Sequence, residues 1–322
     1  ATTPNYEQKH LNRKIVVPYF TSFISPLIPS VLRVAGYEVE SLPMSNDESS
    51  EYGLKYANNE VCYPATLIIG DVIKAFKSGK YDPSHTAVGI TQTGGQCRAS
   101  NYLPMLKKAL VDAGFNDVPV ISLALGSGVE NKQPAFKINW LKVLPIALRA
   151  VLYSDCINKF YHAALVREIN KGMAADLRKL YLEMGAELIE KGKSSELLKH
   201  LPFAAEDFNS ICRDISLPKV GIVGEIYLKF NSFANRNIVD WLAEHHIEVE
   251  PPVLIDFFMQ AFVNRKAKTN AHLLKRGLTD IAYRGLYHIV KHEIEKTNKL
   301  CSTFRHFTPF NDIFHEAKLA ER

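Results

Sequence analysis

A short apolar run, KIVVPYF from Lys14 to Phe20, sets the architecture of the chain, because it has the length of a strand and lacks polar alternation. Such a strand is covered on both faces. Ile24, Leu27, Ile28, Val31, Leu32 and Ala35 follow at helical spacing until Gly36 ends the pattern, and a second strand comes in YEVESLP. Strands joined through a helix pair in parallel by a crossover, and parallel sheets carry helices on their faces. The alternation continues with a helix from about Pro64 to Lys77, a strand over Thr86 to Thr91, a helix from about Asn101 to Ala113 and a strand over Val118 to Leu125. These spacings predict an α/β fold.

The same grammar returns late in the chain. KVGIVGEIY reads as a strand from Lys219, Ile238, Val239, Trp241 and Leu242 mark a helix, and HIEVEPP echoes the earlier YEVESLP. Two Rossmann-like parallel-sheet units are therefore expected, and 322 residues are enough for two domains. Between them, Trp140 to about Leu201 keeps helical periodicity with few strand signals and reads as a helical bridge. The expected boundaries are 1–139 for the first unit, 140–217 for the bridge and 218–322 for the second unit, whose last helices span about Ile255 to Val263 and Leu278 to Lys299. The final NDIFHEAKLAER ends mid-pattern, and the chain opens on Ala1, so a piece of a longer protein, truncated within the second unit, is expected.

With 47% hydrophobic and 23% charged residues the chain is of globular composition, which removes disordered and low-complexity readings. The net charge of +5 is too small to imply nucleic acid without a focused basic face, although small anions remain candidate partners. Apolar stretches such as Val143 to Tyr153 are short and interrupted by Arg149, so no membrane span is expected. The polar opening ATTPNYEQKHLN has no secretory core, and the expected location is the cytoplasm. Five cysteines, Cys62, Cys97, Cys156, Cys212 and Cys301, are widely spaced without a Cys-x-x-Cys pair, which argues for reduced thiols and against a disulfide scaffold or a zinc ribbon.

Ligands of open parallel sheets bind outside the carboxyl ends of the strands, where loops lead into helix N-termini. Two such loops carry thiols. In NNEVCYPATLIIGD, Cys62 stands two residues before Pro64, a residue favoured at a helix start. In GITQTGGQCRASNY, a strand runs into Gly94 and Gly95 and then reaches Cys97, Arg98, Ser100 and Asn101 before the next helix. A thiolate at a helix N-terminus is stabilised by free N–H groups, Arg98 would add to that effect, and the two glycines let backbone approach a bulky inorganic ligand. Because consecutive loops of a right-handed parallel sheet open on one edge, Cys62 and Cys97 can converge although 35 positions separate them. The competing reading is that both are small buried residues, which is the favoured reading for Cys156, Cys212 and Cys301.

NNEVCYPATLIIGDVIKAFKSGKYD, VGITQTGGQCRASNYLPMLKKALVDAGF, VPVISL and GEIYLKFNSFAN resemble the acyl-CoA dehydratase activase-related proteins, which are similar in turn to 2-hydroxyacyl-CoA dehydratase and benzoyl-CoA reductase subunits. The resemblance runs from about Lys14 to the last residue. It implies two Rossmann-like domains with a helical insertion, holding an iron–sulfur cluster of the 4Fe-4S type, reduced one electron at a time by an ATP-driven activase for chemistry on an acyl-CoA. Cys62 and Cys97 match two of the family's cysteine positions. A further one lies in a Pro-Phe-Gly-Cys segment downstream of the last residue here, so the family's ligand set is incomplete in this chain, and the cluster is expected to be absent from it and the chain inactive alone. The activase half is missing too, for there is neither Gly-x-x-x-x-Gly-Lys-Ser/Thr nor Gly-x-Gly-x-x-Gly, and Gly126-Ser127-Gly128 is too short to count.

Glu225 and Tyr227, with Asn231 and Asn235 beyond, follow the strand of the second unit and are candidates to bind substrate or cluster from the opposite side, against the reading of a solvated carboxylate in a loop. His288 and His292 have the spacing of two ligands on one helix face but lack the His-Glu-x-x-His pattern, so an amphipathic surface helix is preferred. Arg265, Lys266, Lys268, Lys275 and Arg276 would suit the phosphates of coenzyme A, or form a solvated helix face. The rival for the chain as a whole is a non-catalytic module that recognises a CoA ester or a partner protein, with incidental cysteines.

Overall fold

Strands β1 (Lys14–Val17), β2 (Val39–Ser41), β3 (Thr86–Gln92) and β4 (Val120–Ala124) form one parallel sheet in the order β2-β1-β3-β4 in this computed structural model, which describes residues 2–58, 60–92, 97–124, 130–275 and 277–320. Ile15 pairs with Val39 on one side and Ala87 on the other, and Val88 pairs with Val120. Alternate residues then part to the two faces. Val16, Val88, Ile90 and Val120 enter one core with Ile69, Val72 and Leu106, whereas Ile15, Val39, Ala87 and Ile121 enter another with Tyr6 and Tyr37. β1 stops at Val17 rather than Phe20 because Pro18 has no N–H to give to the ladder.

The helices of this region are α1 (Ile28–Val34), α2 (Asp47–Tyr56), α3 (Tyr63–Lys77) and α4 (Tyr102–Asp112). α2 was not expected from hydrophobic spacing. Its signal is polar: Asn46 Oδ1 accepts from Ser49 N, the Ser49 side chain answers to Asn46 N, and Asp47 and Glu48 occupy the positive first turn. α2 lies against α3 with almost no space between backbones. A Cβ on Gly53 would stand 2.2 Å from the Thr66 carbonyl oxygen, and one on Gly70 would stand 1.7 Å from that of Ser49.

The remaining elements are α5 (Trp140–Leu165), α6 (Met173–Glu190), α7 (Leu201–Ser210), β5 (Lys219–Gly221), α8 (Ile226–Phe230), α9 (Ile238–Glu244), β6 (Glu248–Glu250), α10 (Leu254–Asn270), α11 (Leu278–Cys301) and α12 (Ile313–Ala320). Backbone contacts divide the chain into Ala1–Pro145 with Gly224–Ile238, and Ile146–Val223 with Val239–Arg322. The 224–238 segment thus packs with the first sheet, while 146–223, read from the sequence as a bridge, packs with the second. That second sheet has two short parallel strands, Val220 pairing with Val249, and the unit is built mainly of helices around Phe160, Phe208, Phe304 and Phe307. No helix among the described residues is long and apolar enough to cross a membrane.

Buried charge ties the second unit together. Glu248 accepts from Arg167 Nη2 at 2.6 Å and pairs with Lys219 Nζ at 2.9 Å, and the Arg167 and Glu248 side chains are almost wholly enclosed. Asp155, on α5, accepts from Leu254 N and Ile255 N at 2.8 and 2.9 Å, so one helix supplies the N-terminal cap of another. Burial pushes the Asp155 carboxyl up to about 7, with the Asp256 charge adding, while the two N–H donors and Lys159 work the other way.

Two predictions follow from this packing. Gly70→Ala drives a methyl group into the Ser49 carbonyl and should cost about 3 kcal/mol, the upper part of the overpacking range, read as a lower urea midpoint. For Asp155, the native state binds more proton than the unfolded chain between the ordinary carboxylate range and about 7, so its contribution to stability is lost as pH rises through that window. The urea midpoint of wild type should fall from pH 5 to pH 8 relative to that of Asp155→Asn; a constant difference between the two proteins would contradict the assignment.

Candidate functional site

α3 runs from Cys62 toward the start of β3, and α4 runs toward the start of β4, so both helices begin at the carboxyl edge of the parallel sheet. Cys62 is the N-cap of α3, its backbone extended (φ −66°, ψ 149°) and its carbonyl accepting from Ala65 N and Thr66 N. Pro64 occupies the first turn, where its missing N–H costs nothing. Cys97 has nearly the same backbone (φ −71°, ψ 142°) but caps a short 3-10 turn, Arg98–Asn101, that leads into α4 at Tyr102. Gly94 and Gly95 lie outside the described residues, as does Gly126-Ser127-Gly128.

The two thiols differ in access, Cys62 being half-buried and Cys97 exposed. The Tyr102 hydroxyl lies 3.3 Å from Cys62 Sγ, its ring almost fully buried. Burial raises the Tyr102 phenol well above its ordinary range, and the Cys62, Glu225 and Cys97 charges push the same way. The phenol therefore keeps its proton and can donate it in a hydrogen bond to sulfur. Tyr102 carries no sequence signal apart from following the second cysteine loop.

Glu225 is exposed to solvent, and its carboxylate is engaged locally. It is the N-cap of α8, and its Oε2 accepts from Tyr227 N and Leu228 N. Tyr227 is buried, its ring stacked on Phe20 at 6.5 Å, and its hydroxyl is 3.1 Å from Ser45 Oγ. Ser45 in turn donates to Asp71 Oδ2 at 2.7 Å. Asp71 is enclosed among the apolar residues of α3, and burial raises its carboxyl despite Lys74 Nζ at 3.7 Å. A lone carboxylate inside IIGDVI was the available sequence signal for this line of hydrogen bonds. Asn231 and Asn235 cap the turn after α8, accepting from Ala234 N and Ile238 N.

Arg98 and Asn101 are exposed on the Cys97 turn, Asn101 without a capping hydrogen bond from its side chain. Cys156, Cys212 and Cys301 are buried in the second unit. His288 and His292 are exposed on α11, and among the described residues no three His, Cys, Asp or Glu side chains gather as a metal site would require. Of the basic run, Arg265 is held by Asp280 at 2.8 Å, Lys266 lies over the Phe314 ring and Arg276 is outside the described residues. As donors, Cys62 and Cys97 would suit an iron–sulfur cluster in kind, being soft sulfurs, and would supply two of the roughly four ligands such a cluster takes.

No protein-family model, curated protein or solved structure matches this chain, so the site is defined by its own geometry. That geometry orders the thiols by access. Under native conditions an alkylating reagent should modify Cys97 first and Cys62 more slowly, with Cys156, Cys212 and Cys301 reacting only on unfolding, as read by peptide mass spectrometry. Tyr102→Phe, which removes the hydrogen-bond donor at the Cys62 sulfur, should slow Cys62 while leaving Cys97 unchanged; equal rates for the two thiols in wild type would contradict the placement.

Proposed function

We propose that this chain is the cluster-holding part of a 2-hydroxyacyl-CoA dehydratase or acyl-CoA reductase type of system, in which Cys62 and Cys97 supply two thiolate ligands. The observation that supports it is that two cysteines, 35 positions apart, each stand at a helix start and both act electrostatically on the Tyr102 hydroxyl. An iron–sulfur cluster supplies one-electron chemistry at low potential, tuned by hydrogen bonds to its sulfur ligands. The chain's own residues hold and orient. Tyr102 donates toward Cys62 Sγ, and the Asp71–Ser45–Tyr227 line fixes α3 to the α8 turn. The Gly53 and Gly70 contacts keep α2 tight against the helix that begins at Cys62.

In this reading the remaining ligands come from a downstream cysteine segment, electrons arrive from an ATP-dependent activase, and an acyl-CoA is the acceptor. The cytoplasm suits it, since thiols there stay reduced. The test is anaerobic treatment of the full-length gene product with iron and sulfide. A broad charge-transfer absorption that survives desalting and is lost in Cys62→Ser and in Cys97→Ser is the expected result. A colourless wild-type protein would instead favour a non-catalytic binding module.

A further inference from the structure

The second unit contains a cavity of about 360 Å³ that is far from any cysteine loop in sequence and lies before the start of β5, not after its end. Its walls come from three places in the chain: Arg167 beyond α5, the segment from Asp214 to Lys219, and Arg305 to Phe307 beyond α11. Three of the lining residues are cations, Arg167, Lys219 and Arg305, against one carboxylate, Asp214, whose side chain is 79% exposed. Arg167 and Lys219 share the buried carboxylate of Glu248, whereas Arg305 faces the water-screened Asp214 across a long contact, so the excess positive charge of the cavity sits at Arg305.

The cations are held in place from behind. Glu248 fixes Arg167 and Lys219, and the Arg167 guanidinium also donates to the Ala163 and Ile215 carbonyls. Arg305 is anchored through Nη2 to the Asn209 and Cys212 carbonyls, which leaves Nη1 with a long 3.9 Å contact to Asp214. Beside them His306 has an Nε2 that is buried and has no hydrogen-bond partner. A buried polar atom without a partner costs free energy, and a ligand acceptor placed there would remove that cost. Burial, followed by the Arg167 charge, holds His306 below its ordinary range, so at neutral pH it is a neutral imidazole, which donates from Nε2 in the tautomer that carries the proton there.

We infer that this cavity is a binding site for a phosphate group, free or as a small monoester, with Arg305, Lys219 and His306 as its donors. Donors converge on the cavity from separate elements, which suits a tetrahedral group with several acceptor oxygens better than a planar carboxylate met by one guanidinium fork. Pre-fixed side chains lose little rotamer freedom on binding, which is the condition for a small anion to be held at all.

The test is calorimetric titration of the whole chain with inorganic phosphate and with glycerol phosphate, against chloride at matched ionic strength, for wild type, Arg305→Gln and His306→Ala. Saturable binding at one site, a thermal midpoint that climbs with phosphate but not with chloride, and weakening by about tenfold or more in each variant are expected. Tighter binding of the ester than of phosphate assigns the site to a phosphorylated metabolite, and the reverse assigns it to the free anion. A wild-type midpoint that responds equally to phosphate and chloride overturns the inference, whether or not the variants fold, as does unchanged phosphate affinity in both variants.

Discussion

Every ladder hydrogen bond in the four-stranded sheet joins strands that point the same way, and that polarity governs the first unit. Parallel strands force each connection to return across a face, so the helices lie on the faces and start at the carboxyl edge. Chain segments distant in sequence are thereby brought to one rim. Cys62 and Cys97 stand at that rim for this reason, and the Tyr102 hydroxyl reaches Cys62 because it begins the helix after the Cys97 turn.

Around that rim, close packing takes the place of a large polar scaffold. Gly53 and Gly70 allow α2 and α3 to touch backbone to backbone, and Asp71, one residue along α3 from Gly70, reaches Ser45 and through it Tyr227. A buried carboxylate with hydroxyl partners fixes geometry more narrowly than apolar contact does, because its hydrogen bonds have direction. The second unit uses the same device with charge: Glu248 gathers Arg167 and Lys219, and Asp155 caps α10 from α5. Removing one partner from such a group leaves a buried charge unmatched, which is why these contacts are costly to break.

Much of the architecture is legible locally. The apolar runs at Ile15 and Val16, at Ala87 to Ile90 and at Val120 and Ile121 announce buried strands, and the 3.6-residue spacing through α3, α4, α5 and α11 announces helices. Where local pattern failed, the cause was specific. α2 is capped and polar, with too narrow an apolar stripe for periodicity to register. The expected strand through KVGIVGEIY ends at Gly221, because Gly224 adopts positive φ and Glu225 then caps α8.

The sequence by itself determined the α/β class, the parallel sheet of the first unit and the position of Cys62 and Cys97 just ahead of helices, because these follow from short-range periodicity and backbone preferences. Tertiary structure alone decided that Tyr102 meets Cys62, that Asp71 is enclosed and reaches Tyr227 through Ser45, and that 224–238 packs with the first sheet. It also decided that Arg167, Lys219, Arg305 and His306 surround one cavity. These pairings join residues tens to more than a hundred positions apart. Local pattern says nothing about which buried polar group finds which partner, since that choice is made when the layers pack and each donor must be satisfied.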